Sequence, residues 1–557
     1  MAERADGGEA ILAACRDLGV EVIFSSPGSE WAPVWEALAR QRRDGTPGPV
    51  YLDLMHETLA VGMAIGYTLV KGKPQLVLVH AGPGLLQGAT GIHGALLTGV
   101  PMVIASAEST TYGEVPPDPG SQWYRNLSVV GGPQAMAAPF TKWATQVGDV
   151  STLYGSVVRA AELARRGPAG PVYLNVPVEV LLQEWTPPRA ARPVAEPGAR
   201  VSPADELARA ARRLVAAEKP LIITESAGRH PGGFEALVAF AEALAIPVVE
   251  PQSAVCGNFP RDHHLHRGGD AAKFAAEADL IVLVGCRAPW YPPSNRPQET
   301  EVLVLDDVPH RPYVDYQVLG ADQYLEGDIA PTLRALTEAV REAGIDEVLV
   351  SGRESESRAL VPAETAAPAT DAIDAAQVVR CLRELLDPDA AVVDETITHS
   401  RVVQRELRAD RPGRYSYVQG GLGQGLGVAL GVKLADPGRE VALVIGDGSL
   451  LYNPIVQALS ASRAQGLPVL VVVFNNRQYL SMKLNHLRFY PGGAAVGEDD
   501  FRGVDLSDQP ALAELVEPFG MTGLTVTDPG ELKSVLAQAL DTVRAGTTAL
   551  VDVRVAR

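Results

Sequence analysis

The chain has 557 residues and carries 48 Lys+Arg against 67 Asp+Glu, a formal net charge of −19. That balance repels phosphate backbones and anionic membrane surfaces, so neither nucleic acid nor a membrane is expected as a partner. With 46% hydrophobic and 21% charged residues the composition is that of an ordinary globular protein, and at roughly 100–200 residues per domain the length calls for three or four.

From the amino terminus, apolar runs at 21–26, 50–55, 75–80 and 101–106 alternate with helix-like segments, and the block closes near 171–180. Such alternation predicts a parallel sheet flanked by helices. Three residues of this block stand where strands end. Ser29 follows a Pro-Gly turn; it is suited to bind a carboxylate or to cap the next helix. Glu57 opens the helix MHETLAVGMAIGYTL (55–69), whose face of Ala60, Met63, Ala64 and Tyr67 is apolar. An acid in a first helical turn also complements the helix dipole. His80 ends a buried strand beside Gly-Pro-Gly, at the same predicted sheet edge as Glu57, where an imidazole can relay protons or simply pack.

The proline-dense stretch 184–203 reads as a linker after a first domain of residues 1–183. A second αβ block (204–346) runs from KPLIITESAG to the helix-like PTLRALTEAVREA. The polar, aperiodic stretch 347–372 reads as a second linker, and residues 373–557 form a third αβ block. The expected fold class is therefore α/β, with three domains that are each a mainly parallel sheet flanked by helices. Cys15, Cys256, Cys286 and Cys381 lie far apart and suggest neither a disulfide framework nor a zinc site. Without a targeting signal or membrane span in the sequence, a cytoplasmic location is expected.

The third block holds the densest chemistry. One buried strand delivers Gly446-Asp447-Gly448-Ser449, and the next delivers Asn475-Asn476. Adjacent parallel strands would bring that carboxylate and carboxamide to one sheet edge, a setting that suits a hard cation with oxygen ligands. Upstream, VQGGLGQGLGVALGVKLA (418–435) fails the dinucleotide spacing. Leu426 stands where the third glycine is needed, and no strand is expected immediately before it.

The GDG run, 26 intervening residues and then Asn475-Asn476 resemble the motif of the thiamine diphosphate enzymes. The resemblance extends over the whole chain, to the pyruvate oxidase and decarboxylase branch that includes acetolactate synthase and benzoylformate decarboxylase. It implies pyrimidine-binding, middle and pyrophosphate-binding domains in that order. It implies that Asp447, Asn476 and the backbone oxygen of Gln478 hold magnesium. Gly446, Gly448, Ser449, Thr398, His399 and Tyr479 would then contact the cofactor, and Leu422 would wedge beneath it. Glu57 matches the glutamate that hydrogen-bonds the pyrimidine ring, while Leu480, Ser481 and Met482 would line the substrate side. FAD in the middle domain is possible but not indicated.

Ser29 and His80 match the active-site serine and histidine of benzoylformate decarboxylase. The second histidine of that enzyme has no counterpart in CRAPWYPPSNRP (286–297), and Ser128 stands where carboligases carry a glutamine. The implied function is carbon–carbon bond cleavage or formation beside the carbonyl of a small 2-oxo acid, with decarboxylation leading. The alternatives are an acetolactate synthase-like carboligase, a 2-hydroxyacyl lyase or a non-catalytic cofactor-binding subunit. A homodimer or homotetramer with sites between subunits is expected.

Overall fold

Runs such as Leu280–Val284 and Val441–Ile445 are buried along their whole length, as strands covered by helices on both faces must be. The computed structural model describes residues 5–26, 28–108, 127–187, 194–311, 314, 320–360 and 372–556. The first sheet contains β1 (Val22–Ser25), β2 (Val50–Asp53), β3 (Gln75–Val79), β4 (Met102–Ser106), β5 (Ala144–Gln146) and β6 (Pro171–Asn175). The middle sheet contains β7 (Pro220–Thr224), β8 (Val248–Val249), β9 (Leu280–Val284), β10 (Glu301–Asp306) and β11 (Gln323–Glu326). The third contains β12 (Ala391–Glu395), β13 (Tyr415–Tyr417), β14 (Val441–Gly446), β15 (Leu470–Asn475), β16 (Thr522–Val526) and β17 (Ala549–Arg554).

Every pairing within these sheets is parallel. The strand orders are β2-β1-β3-β4-β6-β5, β11-β10-β9-β7-β8 and β13-β12-β14-β15-β17-β16. The first and third sheets thus share one connectivity, each switching direction between its first and third strands (β1 and β3, β12 and β14). Ligands of open parallel sheets sit at the carboxyl ends of strands beside such a switch.

Two sequence expectations need correction. The stretch 347–372 does not run entirely as linker: Glu347–Ala359 is a helix, capped by the Asp346 carboxylate on the Val348 amide at 2.9 Å. Its Arg353 is buried and donates to the carbonyls of Ala217 and Leu244, where two middle-domain helices end. A guanidinium at helix carboxyl termini satisfies orphaned carbonyls and complements both dipoles. Second, a strand does lead into the Gly-rich loop, since β13 ends at Tyr417. Among the described residues no helix is long and apolar enough to cross a membrane, and all four cysteines are free thiols.

The first and third domains share one hydrophobic core, in which Leu59, Val61 and Ile92 pack with Leu426, Val428 and Leu443. The contact is made by the helices Glu57–Lys71 and Gly425–Ala435, and glycines bring them close. A Cβ at Gly66 would stand 2.0 Å from the Val428 carbonyl oxygen, and one at Gly431 would stand 2.1 Å from that of Met63.

Candidate active site

At the switch of the first sheet, β1 leads into a short turn over Ser29–Trp31 and β3 leads to His80. His80 Nδ1 lies 2.9 and 3.0 Å from the two carboxylate oxygens of Glu30, and one of these also accepts the Ala81 amide at 2.9 Å. The Glu30 side chain is wholly buried and that of His80 is 27% exposed. Room for the pair comes from Gly28, where a Cβ would stand 2.2 Å from both Glu30 Oε2 and His80 Nδ1. The Glu30 hydrogen bond raises the His80 pKa above the ordinary imidazole value; burial opposes it, and the charge of Glu57 adds to it.

Glu57 is the first residue of its helix, after an N-cap in which His56 Nδ1 accepts the Thr58 amide at 3.1 Å. It reaches the same edge as His80: a Cβ at Gly84 would meet Glu57 Oε1 at 2.7 Å and His80 Cβ at 3.1 Å. Ser29 is exposed and caps no helix, because the N-cap of its turn is Gly28. Ser128 hydrogen-bonds Glu108, a buried acid at the end of β4 whose pKa burial pushes up to about 7.

At the switch of the third sheet, the Asp447 carboxylate accepts the amides of Gly448 at 2.8 Å and Arg477 at 2.7 Å. Asn476 Oδ1 accepts the Gln478 amide at 3.0 Å, and Arg477 turns the chain with a left-handed φ of 57°. The neighbouring Asn475 donates to Asp552 at 2.8 Å, and its Oδ1 accepts the Arg477 amide at 3.2 Å. Gly446 ends β14, and Gly448 and Ser449 follow it, with Ser449 buried. The Tyr479 ring lies over Gly448, where a Cβ would be 2.3 Å from Tyr479 Cε1. Leu480, Ser481 and Met482 open the next helix, Leu480 and Ser481 half-buried and Met482 exposed.

Thr398 and His399 follow β12, with His399 rather than Thr398 in the N-cap position of the helix Ser400–Leu407. The His399 ring packs 5.6 Å from that of Phe474, its Nε2 is buried without a hydrogen-bond partner, and burial lowers its pKa. The last residue of β12, Glu395, is buried and accepts the amides of Gly423 at 2.8 Å and Gln424 at 2.9 Å. Asn453 donates to its other oxygen at 2.9 Å. This carboxyl, which burial raises to about 7, anchors the loop carrying Leu422. Gly420, Gly421 and Gly423 have φ of 96°, 134° and 99°, so the sharp turn presenting half-buried Leu422 needs glycine on both sides.

Sequence reading passed over Glu30 and Glu395. Each lies at a strand exit on a switch point, and that position is the signal that could have singled them out.

The donors at the third sheet edge fit magnesium and a diphosphate. Asp447 is buried with no basic partner among the described residues, and burial pushes its carboxyl up to about 6. With Asn476 and a loop carbonyl it forms an all-oxygen set that lacks only positive charge. Among the described residues no group of three or more His, Cys, Asp or Glu gathers for a metal elsewhere. At the middle sheet edge a flavin dinucleotide would find two backbone donors already taken. Between β7 and β9, the buried Glu225 carboxylate already takes the amides of Arg287 at 2.6 Å and Ala288 at 3.3 Å, together with the Ser253 hydroxyl. Those are the donors a diphosphate would use. The two edges that carry Glu57 and Asp447 share no hydrogen bond or ion pair between these residues.

The sequence matches three family descriptions of the thiamine pyrophosphate enzyme: the N-terminal TPP binding domain over residues 5–127, the central domain over 207–336 and the C-terminal TPP binding domain over 397–553. It is 27% identical over 574 residues to the acetolactate synthase isozyme 3 large subunit of Escherichia coli, covering 99% of this chain and 95% of that one. It is 28% identical over 483 residues to a Pseudomonas aeruginosa protein named Probable 2-ketoarginine decarboxylase AruI, covering 84% and 82%. In fold it is similar to the benzoylformate decarboxylase of Polynucleobacter necessarius, with a TM-score of 0.82 and 23% identity over 99% of this chain and 98% of that one.

Proposed function

The chain belongs to the thiamine pyrophosphate enzymes, and from that premise we propose that it decarboxylates a 2-oxo acid, with the diphosphate held through magnesium. The cofactor, when bound, supplies the nucleophilic carbon and the electron sink for the bond that breaks. The chain's own residues bind, orient and move protons. Asp447, Asn476 and the Gln478 carbonyl would hold the cation; Ser449, His399 and Thr398 stand ready for phosphate oxygens. Leu422 would support the cofactor from below. Glu57 would hydrogen-bond the pyrimidine and hold a proton there, and exposed Ser29 would take the substrate carboxylate.

The observation that carries decarboxylation is His80, an imidazole beside Glu57 and hydrogen-bonded to the buried Glu30 carboxylate, which raises its pKa above the ordinary imidazole value. Release of carbon dioxide leaves a carbon that needs one proton to become an aldehyde, and His80 Nε2 would supply it. A second reading, carboligation, is favoured by the near full-length likeness to proteins named acetolactate synthase. In both readings the Glu57 edge of one subunit would meet the Asp447 edge of another in a homodimer or homotetramer. The test is carbon dioxide release from a panel of aliphatic and aromatic 2-oxo acids with thiamine diphosphate and magnesium added. Cofactor-dependent release supports the proposal; none from any acid removes it.

A further inference from the structure

We propose that Glu30 is the positioning residue of the proton-transferring histidine: its buried carboxylate takes the His80 Nδ1 hydrogen and the Ala81 amide together, fixing one tautomer and presenting Nε2 to substrate. The inference rests on reading His80 as the group that protonates the product.

A carboxylate only accepts hydrogen bonds, so a ring nitrogen 2.9 and 3.0 Å from both its oxygens carries the hydrogen. The neutral imidazole then has its lone pair on Nε2, and the proton that comes and goes does so at that atom. Burying a carboxylate is costly unless it is paired and hydrogen-bonded, and here the partners are His80 and one backbone amide. Two local features serve the arrangement. Gly28 leaves out the Cβ that would stand 2.2 Å from both groups. Ala81 is held at a φ of 22°, a sterically disfavoured value for a residue with a Cβ, while its amide reaches the same Glu30 oxygen.

Among the described residues, the charged and titratable groups facing this corner include Glu30 from the turn after β1, Glu57 from its helix, and Tyr51 with Asp53 from β2, beside Glu30. The Glu30 and Glu57 carboxylates both favour the imidazolium. Glu30 therefore does two jobs through one contact, orientation and retention of a transferable proton.

The test uses holoenzyme reconstituted with thiamine diphosphate and magnesium and labelled with 13C,15N-histidine, the His80 signal being assigned by its loss in His80→Ala. Wild-type His80 should titrate at Nε2 with hydrogen retained on Nδ1. Glu30→Gln should lower the pH at which it titrates, reduce kcat about 10–100-fold with KM nearly unchanged, and move the kcat pH profile in the same direction. Gly28→Ala should reproduce these changes by displacing the pair. An Nε2–H tautomer in the wild-type protein overturns the inference, and this needs no variant to fold. Unchanged titration and pH profile in Glu30→Gln overturn it too. If His80→Ala itself keeps full turnover, the functional reading of His80 fails first and carries the inference with it.

Discussion

Asp447 accepts the backbone hydrogen of Arg477 at 2.7 Å, so the loop leaving β14 is tied to the loop leaving β15. The amide comes from a residue in the left-handed region, φ 57°, between Asn476 and Gln478. The two halves of the GDG…NN motif are therefore held as one unit before any cation arrives. What the unit lacks is charge balance.

That deficit sets a pH dependence. Burial, opposed by the amides of Gly448 and Arg477, raises the Asp447 pKa to about 6. A cation needs the carboxylate, so above that pH binding is unhindered, and below it a proton competes. Magnesium–thiamine diphosphate affinity should fall by about tenfold per pH unit on the acid side. Titration calorimetry from pH 5 to 8 checks this, and Asp447→Ala should lose cofactor retention altogether.

The sharing of a site between subunits can be tested by mixing. Glu57→Gln should cost roughly 10²–10⁴-fold in turnover, the range of a general acid–base group. Re-associating it with Asp447→Ala in equal amounts would give mixed dimers with one intact site if the two residues serve from different subunits. Activity should then return to about a quarter of wild type. A mixture no more active than its components would place both residues in one chain.

The same substitution should have opposite signs at two glycines. At Gly66 a Cβ meets the Val428 carbonyl at 2.0 Å, so Gly66→Ala should push apart the helices joining the first and third domains and cost about 1–3 kcal/mol. Gly155 lies on the exposed face of the helix Val150–Arg165 with open space at its Cβ position. Gly155→Ala should stabilise by up to about 1 kcal/mol. Thermal unfolding of the two variants checks both.

The spent donors around Glu225 predict that the purified protein shows no flavin absorbance near 450 nm and binds no added FAD. Glu225→Ala would free the two amides, and weak nucleotide binding by that variant but not by the wild type would identify the carboxylate as the plug.

The fold was legible where strands are central. The runs at 76–79, 102–105, 280–284 and 441–445 are covered on both faces and so are apolar throughout. The strands that sequence reading overlooked, β5 (ATQ), β11 (QYLE), β13 (YSY) and β16 (TGLTV), all lie at sheet edges, where half-exposure dilutes the signal. The Glu347–Ala359 helix was hidden for a related reason, since it docks through buried Arg353 and Ser357 with Val350 against the middle-domain core and carries no further apolar stripe. At the candidate site, the GDG…NN spacing and Glu57 could be read because local motifs carry them. The Glu30–His80 pair joins residues 50 apart in sequence, and only the β1–β3 adjacency makes them partners. Glu395 likewise reaches a loop 28 residues on.

The most direct test of the account follows the fate of the carbonyl carbon in a 2-oxo acid that releases carbon dioxide. With a 13C-carbonyl-labelled substrate, thiamine diphosphate and magnesium, NMR should show the label in the free aldehyde, formed at a rate that falls sharply in His80→Ala. Label appearing mainly in a condensed 2-hydroxy ketone or acetolactate-type acid, at a rate indifferent to His80, would contradict it.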